Sequence, residues 1–213
     1  AVGRFDDPRK NLDMLVKVFD KLDSIYTNLK LNVVGPKPSD KKIATLQKFK
    51  SFKNINFTGL ISDEELKNYY QNSRLMLITS YQEGLGIVGL EALSNGIPVV
   101  ATNCGGVSDF IVNEKNGFLV DVNDVDGMTA KAALILRSEE LTTEMSEFAI
   151  KFVNQNFSEQ KIYSIFKYGL SSVYPELGQW FEKCDEGCFQ AAEIDVREDK
   201  KEDKVTDEQT DVL

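Results

Sequence analysis

The segment that most narrows the folds open to this chain runs from Leu75 to Ala92. An apolar run, Leu75-Met76-Leu77-Ile78, is followed by Ser80-Tyr81-Gln82-Glu83-Gly84-Leu85-Gly86 and then by the apolar Ile87-Val88-Gly89-Leu90-Glu91-Ala92. Consecutive apolar residues closed by a polar, glycine-containing turn read as a strand buried on both faces, and the stretch after the turn reads as the start of a helix. That order aims backbone N–H groups and the positive end of a helix at one spot, where an anion such as a diphosphate is held. Glu83 and Glu91, with seven residues between them, stand at the same spot, and carboxylates repel anions. They accept hydrogen bonds from hydroxyls, so a sugar nucleotide, with its diphosphate and its two sets of hydroxyls, fits both halves of the pattern.

The rest of the chain repeats the alternation. Leu12, Leu15, Val16, Phe19, Leu22 and Tyr26 fall at helical spacing, which predicts an amphipathic helix over 11–26. Leu31, Val33 and Val34 before Gly35-Pro36 predict a short strand; Ile43, Leu46, Phe49 and Phe52 predict a helix over 41–52. A strand is expected over 54–59, and Ser62 with Glu65 forms a capping-box signature for a helix through Gln71. Ile97 to Thr102 and Phe118 to Val120 read as strands, with a short helix between them around Val107 to Val112. Helical pattern resumes from Asp124 to about Val153, broken near Ser138, and Ser158 caps a last helix. Ala1 to Phe5 reads as the end of a strand, so the chain is expected to begin within its first strand. Six strands alternating with helices predict an α/β fold, a Rossmann-like, doubly wound parallel sheet with helices on both faces. Residues 1–173 are expected to form this domain, and 174–213 an acidic, disordered tail.

Charge separates the two parts. Residues 185–213 hold eleven acidic against four basic side chains, −7 of the chain's −9, which leaves −2 for residues 1–184. A near-neutral domain argues against nucleic acid as a partner. Six lysines against one aspartate lie between 37 and 53; they read first as a solvated face, with peripheral membrane contact of the full-length protein as the sharper alternative. The three cysteines, Cys104, Cys184 and Cys188, are too few and scattered for a disulfide framework and favour a cytoplasmic location. Without histidine, a zinc site at Cys184 and Cys188 lacks ligands, and any imidazole base must come from another chain or segment.

In a doubly wound sheet ligands sit beyond the carboxyl ends of the strands. The residues there are Gly3, Arg4 and Lys10 after the first strand, Gly35, then Gly59, Leu60 and Ile61, then Ser80 to Gly86, then Cys104 to Gly106. Arg4 and Lys10 are the cations for a leaving diphosphate, whose charge grows in the transition state.

Gly3-Arg4 followed by Lys10-Asn11, the Glu83 to Glu91 spacing within EGLGIVGLEAL, Gly96-Ile97-Pro98-Val99-Val100-Ala101-Thr102 and Gly105-Gly106 together resemble the carboxy-terminal domain of glycosyltransferase family 4, the group 1 retaining enzymes of GT-B architecture. The resemblance runs from about Val2 to Phe166. It implies one half of a GT-B fold and transfer of a hexose from a nucleoside-diphosphate sugar to an acceptor hydroxyl, without a metal or other cofactor. It implies that Arg4 and Lys10 bind the diphosphate, that Glu83 contacts the donor sugar and that Glu91 holds the ribose hydroxyls. Gly84, Leu85, Gly86 and Ile87 fall where amides approach sugar and phosphate, with Gly3, Gly35 and Ser80 on the same rim, and Gly59, Leu60 and Ile61 line the base. The family often has Phe, Pro and Glu where Leu85, Thr79 and Asp109 stand here. The acceptor-binding amino-terminal half has no counterpart in the sequence, so this chain alone is expected to bind donor without turning it over. A non-catalytic nucleotide-binding module, a sugar-nucleotide epimerase and a phosphorylase stay open as alternatives; a dinucleotide oxidoreductase is disfavoured because Gly3-Arg4-Phe5 is not a Gly-x-Gly-x-x-Gly turn.

Overall fold

A computed structural model of the chain describes residues 1–175 together with Leu177, Gly178 and Phe181. Apart from Tyr174, Pro175, Leu177, Gly178 and Phe181, the expected tail lies outside the described residues, as do Cys184 and Cys188. The elements are α1 (Leu12–Ile25), β1 (Leu31–Val34), α2 (Asp40–Leu46), β2 (Ile55–Gly59), α3 (Asp63–Gln71), β3 (Met76–Ile78), α4 (Ile87–Ser94), β4 (Val99–Thr102), β5 (Gly117–Val120), α5 (Val125–Arg137), α6 (Glu139–Asn156) and α7 (Glu159–Val173). A first compact unit ends at Ser158 and α7 opens a second. Along α7, Ile165, Phe166 and Tyr168 are all exposed.

All strand pairs are parallel: β1 with β2, β3 with β4, and β4 with β5. Side chains alternate between the sheet's two faces as a pleated strand requires. Leu77, Val100, Phe118 and Val120 enter one core with Leu15, Val16 and Phe19 of α1 and Met128, Ala132 and Ile135 of α5. Met76, Ile78, Val99 and Ala101 enter a second with Tyr70 of α3, Ala92 and Leu93 of α4 and Ala149 and Val153 of α6. Helices therefore cover both faces, as the alternation predicts.

The strand count differs. Among the described residues there are five strands, arranged as β1-β2 and β3-β4-β5, because Ala1 to Phe5 forms only a single parallel bridge, Val2 to Val34. The Ala1 amine donates to Asn32 O at 2.9 Å, Val34 N to Ala1 O at 2.9 Å and Gly3 N to Val34 O at 2.9 Å; beyond Gly3, at φ 151°, the chain turns away. A cavity of about 330 Å³ lies between the two sheets, lined by Ala1, Val2, Leu31, Asn32, Met76 and Leu77 among others.

The helix ends follow their local chemistry. Asn11, in the left-handed region at φ 49°, accepts from Met14 N and opens α1. Ser62 and Glu65 form the expected capping box at α3, and Ser138 caps α6 where the helical pattern breaks. The helix expected over 41–52 stops early. Leu46 is fully buried, Phe49 is extended at ψ 136°, and Ser51 N donates to Asp20 Oδ1 at 3.0 Å, so Lys50–Asn54 continues as a 3-10 turn. Likewise the helix expected around Val107 is a 3-10 turn, Gly106–Asp109. Among the described residues no helix is long and apolar enough to cross a membrane.

Candidate functional site

The carboxyl ends of the strands carry three glycines abreast. A side chain on Gly35, at φ 128°, would place its Cβ 2.1 Å from Gly3 O, and Gly35 N donates to Gly59 O at 3.2 Å. Only glycine allows so close an approach of backbones. The stem of Lys10 lies over Gly3, whose Cβ position is 3.4 Å from Lys10 Cε.

Lys10 reaches from there to the loop after β3. Its Nζ is 2.7 Å from Glu83 Oε1, and Ser80 Oγ donates to the same oxygen at 2.5 Å. The two side chains are only 21% and 11% exposed, so this charged pair is well shielded and stronger than a surface ion pair. Arg9 is engaged elsewhere: its guanidinium forks onto Asp7, with bonds of 2.7 to 3.1 Å, and these hydrogen bonds push the Asp7 carboxyl down to about 2.

The loop holding Glu83 is fixed from several sides. Glu83 N donates to Cys104 O at 2.7 Å and Gly106 N to Glu83 O at 3.4 Å. A Cβ on Gly105 would stand 2.6 Å from Glu83 O, and one on Gly106 only 1.8 Å from Gly84 O, so the glycine pair is a bed on which the loop rests. Thr102 Oγ1 donates to Ser80 O at 2.6 Å. Thr79 Oγ1, where the family often has proline, donates to Lys10 O at 2.9 Å, and Tyr81 N to Arg9 O at 2.7 Å. These bonds tie the Lys10 segment to the Glu83 segment.

Gly86, in the left-handed region at φ 73°, starts α4, and no side chain caps this end. The first N–H groups of α4 thus face the same side as Gly84, Leu85 and Ile87, which are exposed. Glu91 follows in the second turn. Its Oε2 accepts from Tyr70 Oη at 2.8 Å, so this carboxylate on a largely apolar helix has a structural partner. Burial and the adjacent Glu91 together raise the Tyr70 phenol well above its ordinary pKa.

Two groups of predicted residues are not gathered into this cluster. Arg4 is 74% exposed, with Nε 3.9 Å from Asp6 Oδ1, because the turn after Gly3 directs it to solvent. Leu60 is exposed and Ile61 half-buried beyond Gly59. Conversely, Tyr70 supports the site without any motif announcing it, and the bonds made by Thr79, Thr102 and the Cys104 carbonyl are not foretold by their places in the sequence pattern. Among the described residues, no three or more Asp, Glu, Cys or His side chains gather as metal ligands would. An ammonium, a carboxylate, a hydroxyl and a helix start placed together suit a ligand that bears both phosphate and hydroxyls.

The sequence profile described as "Glycosyl transferases group 1" matches residues 1–152. N-acetyl-alpha-D-glucosaminyl L-malate synthase of Bacillus anthracis is 31% identical over 159 residues, 74% of this chain and 41% of that protein. An uncharacterized glycosyltransferase of Haemophilus influenzae is 29% identical over 160 residues, 74% of this chain and 44% of that protein. The chain spans less than half the length of these curated relatives. Among solved structures, a TarM mutant of S. aureus in a complex that includes UDP matches with a TM-score of 0.69 and 25% identity, over 76% of this chain and 33% of that one. The parallel sheet with helices on both faces is the fold of these GT-B proteins, and the chain belongs to the glycosyl transferases group 1 family.

Proposed function

We propose that this chain is the donor-binding domain of a retaining glycosyltransferase that moves a hexose from a nucleoside-diphosphate sugar to an acceptor hydroxyl. The observation that carries the reading is the Lys10–Glu83–Ser80 cluster, 2.7 and 2.5 Å apart, beside the glycine-started end of α4. Lys10, Arg4 and the first amides of α4 bind the diphosphate and neutralise it as it leaves; Arg4, whose side chain has Asp6 as its one charged neighbour among the described residues, swings inward to do so. Glu83 accepts from donor-sugar hydroxyls, Glu91 from the ribose, and Gly59, Leu60 and Ile61 border the base. Fixed cations replace a metal in this scheme. The acceptor and the remaining catalytic groups come from an amino-terminal half, consistent with the longer relatives. The exposed lysines of the α2 segment, Lys37, Lys41, Lys48, Lys50 and Lys53, face an anionic membrane surface in the full-length protein.

Thermal melts with UDP, GDP, ADP and their sugar conjugates test this reading. One base series is expected to raise the melting temperature, since a ligand that binds only the folded state stabilises it. No shift with any of them contradicts it.

A further inference from the structure

Glu91 sits on α4 and Tyr70 near the end of α3, brought together although 21 residues separate them. The Tyr70 ring is 6% exposed and packs in the core with Ile78, Ala92, Leu93 and Ile97. Its hydroxyl stands 2.8 Å from Glu91 Oε2 and 3.4 Å from Val88 O. A phenol has one proton, and the shorter, charge-assisted bond takes it. A ring locked in the core has almost no freedom to withdraw that donor.

We infer that Tyr70 is a positioning residue for ligand recognition: by holding Oε2, it fixes the Glu91 carboxylate in one rotamer and leaves Oε1 as the oxygen presented to a vicinal diol such as a ribose 2′,3′-pair. The inference rests on the reading of Glu91 as the ribose-binding carboxylate. Two observations, joined to two general principles, support it. Glu91 has no cation within salt-bridge distance among the described residues, so its orientation depends on neutral donors. Among the described residues, the only side chain that donates to its carboxylate is Tyr70. A glutamate on a helix otherwise has rotatable side-chain torsions, and each immobilised one costs binding free energy unless it is fixed beforehand. Discrimination against a missing hydroxyl is large only where the protein acceptor is already in place and is left unpaired by the wrong ligand.

The test uses the whole chain and the tightest binder among UDP, GDP and ADP, compared with its 2′-deoxy and 3′-deoxy analogues. Titration calorimetry gives the ratio of ribo to deoxy affinity for wild type, Tyr70→Phe and Glu91→Ala. Tyr70→Phe keeps the ring in the core, and a ratio of affinities does not depend on the fraction of folded protein, so a loss of stability leaves the readout intact. The expected result is that Tyr70→Phe lowers ribonucleotide affinity about tenfold, leaves the deoxy analogues little changed, and so collapses the ratio. Equal weakening of ribo and deoxy ligands marks Tyr70 as merely structural and overturns the inference, as does an unchanged ratio while Glu91→Ala abolishes it. If wild type shows no preference and Glu91→Ala changes nothing, the ribose role of Glu91 itself has failed, and the inference falls with it.

Discussion

Lys10 Nζ and Glu83 Oε1 are 2.7 Å apart, although 73 residues separate them in the chain. The pair joins the segment that follows the Val2 to Val34 bridge to the loop after β3, and it makes Glu83 the counter-ion of the cation proposed to hold the diphosphate. Carboxylate and phosphate therefore compete for one ammonium. Glu83→Gln is predicted to tighten binding of a free nucleoside diphosphate about three- to tenfold, as expected for removing a competing charge near the protein surface, while abolishing the extra affinity that the attached sugar confers. Titrating both ligands into wild type and variant checks this; weaker binding of the free diphosphate counts against the competition.

The glycines of the site divide by what surrounds them. Gly106→Ala drives a methyl into Gly84 O, at 1.8 Å in the present backbone, and so must displace the loop that carries Glu83. We expect a loss of more than about 1 kcal/mol in chemical denaturation. A Cβ on Gly84 meets nothing within 4 Å, so Gly84→Ala is expected to change stability by less than about 0.5 kcal/mol yet weaken donor binding, because the added methyl stands where the ligand approaches the backbone. If Gly84→Ala leaves binding unchanged, the donor does not pass over this loop.

Thr102 is fully buried, and its hydroxyl donates to Ser80 O at 2.6 Å. Thr102→Val keeps the shape and leaves that carbonyl without its partner, a cost of about 1–3 kcal/mol. Denaturant unfolding of the variant measures it directly, and a value near zero means that Ser80 O finds another donor.

Cys104 is 5% exposed, and burial pushes its thiol above the ordinary value. The thiolate is the reactive form, so alkylation by iodoacetamide at neutral pH is expected to leave the Cys104 peptide unlabelled until the protein unfolds. The sign for stability follows. A raised folded-state pKa keeps its contribution fully below the unfolded thiol's value, and the contribution is lost as the pH rises from there through the folded thiol's higher value, because over that range the unfolded chain has released a proton that the folded one retains. Peptide mass spectrometry after labelling decides the point; rapid modification of the native chain would refute it.

Much of this architecture was readable from residue patterns because the deciding interactions are local. The Ser62 and Glu65 pairing marks the start of α3 within four residues, and the unbroken runs at Met76 to Ile78 and Val99 to Thr102 reflect burial on both faces. The failures arise where distant contacts decide. Phe49 and Phe52 keep helical spacing, yet the buried Leu46 and the Ser51 to Asp20 bond end α2 early. Val2 has strand-forming neighbours, but Gly3 and the turn after it limit the pairing to one bridge. In the site, Lys10 and Glu83 were placed on one rim by strand order, whereas the Tyr70 to Glu91 bond depends on how α3 packs against α4. No spacing in the sequence encodes that.

The central claim is that Lys10 and Glu91 belong to one nucleoside-diphosphate site. Calorimetric titration of UDP, GDP and ADP into the wild-type chain, Lys10→Ala and Glu91→Ala tests it most directly. The account predicts that at least one nucleotide binds the wild type and that each substitution weakens it about tenfold or more, on the order of 1.4 kcal/mol. Undiminished binding by both folded variants would contradict it.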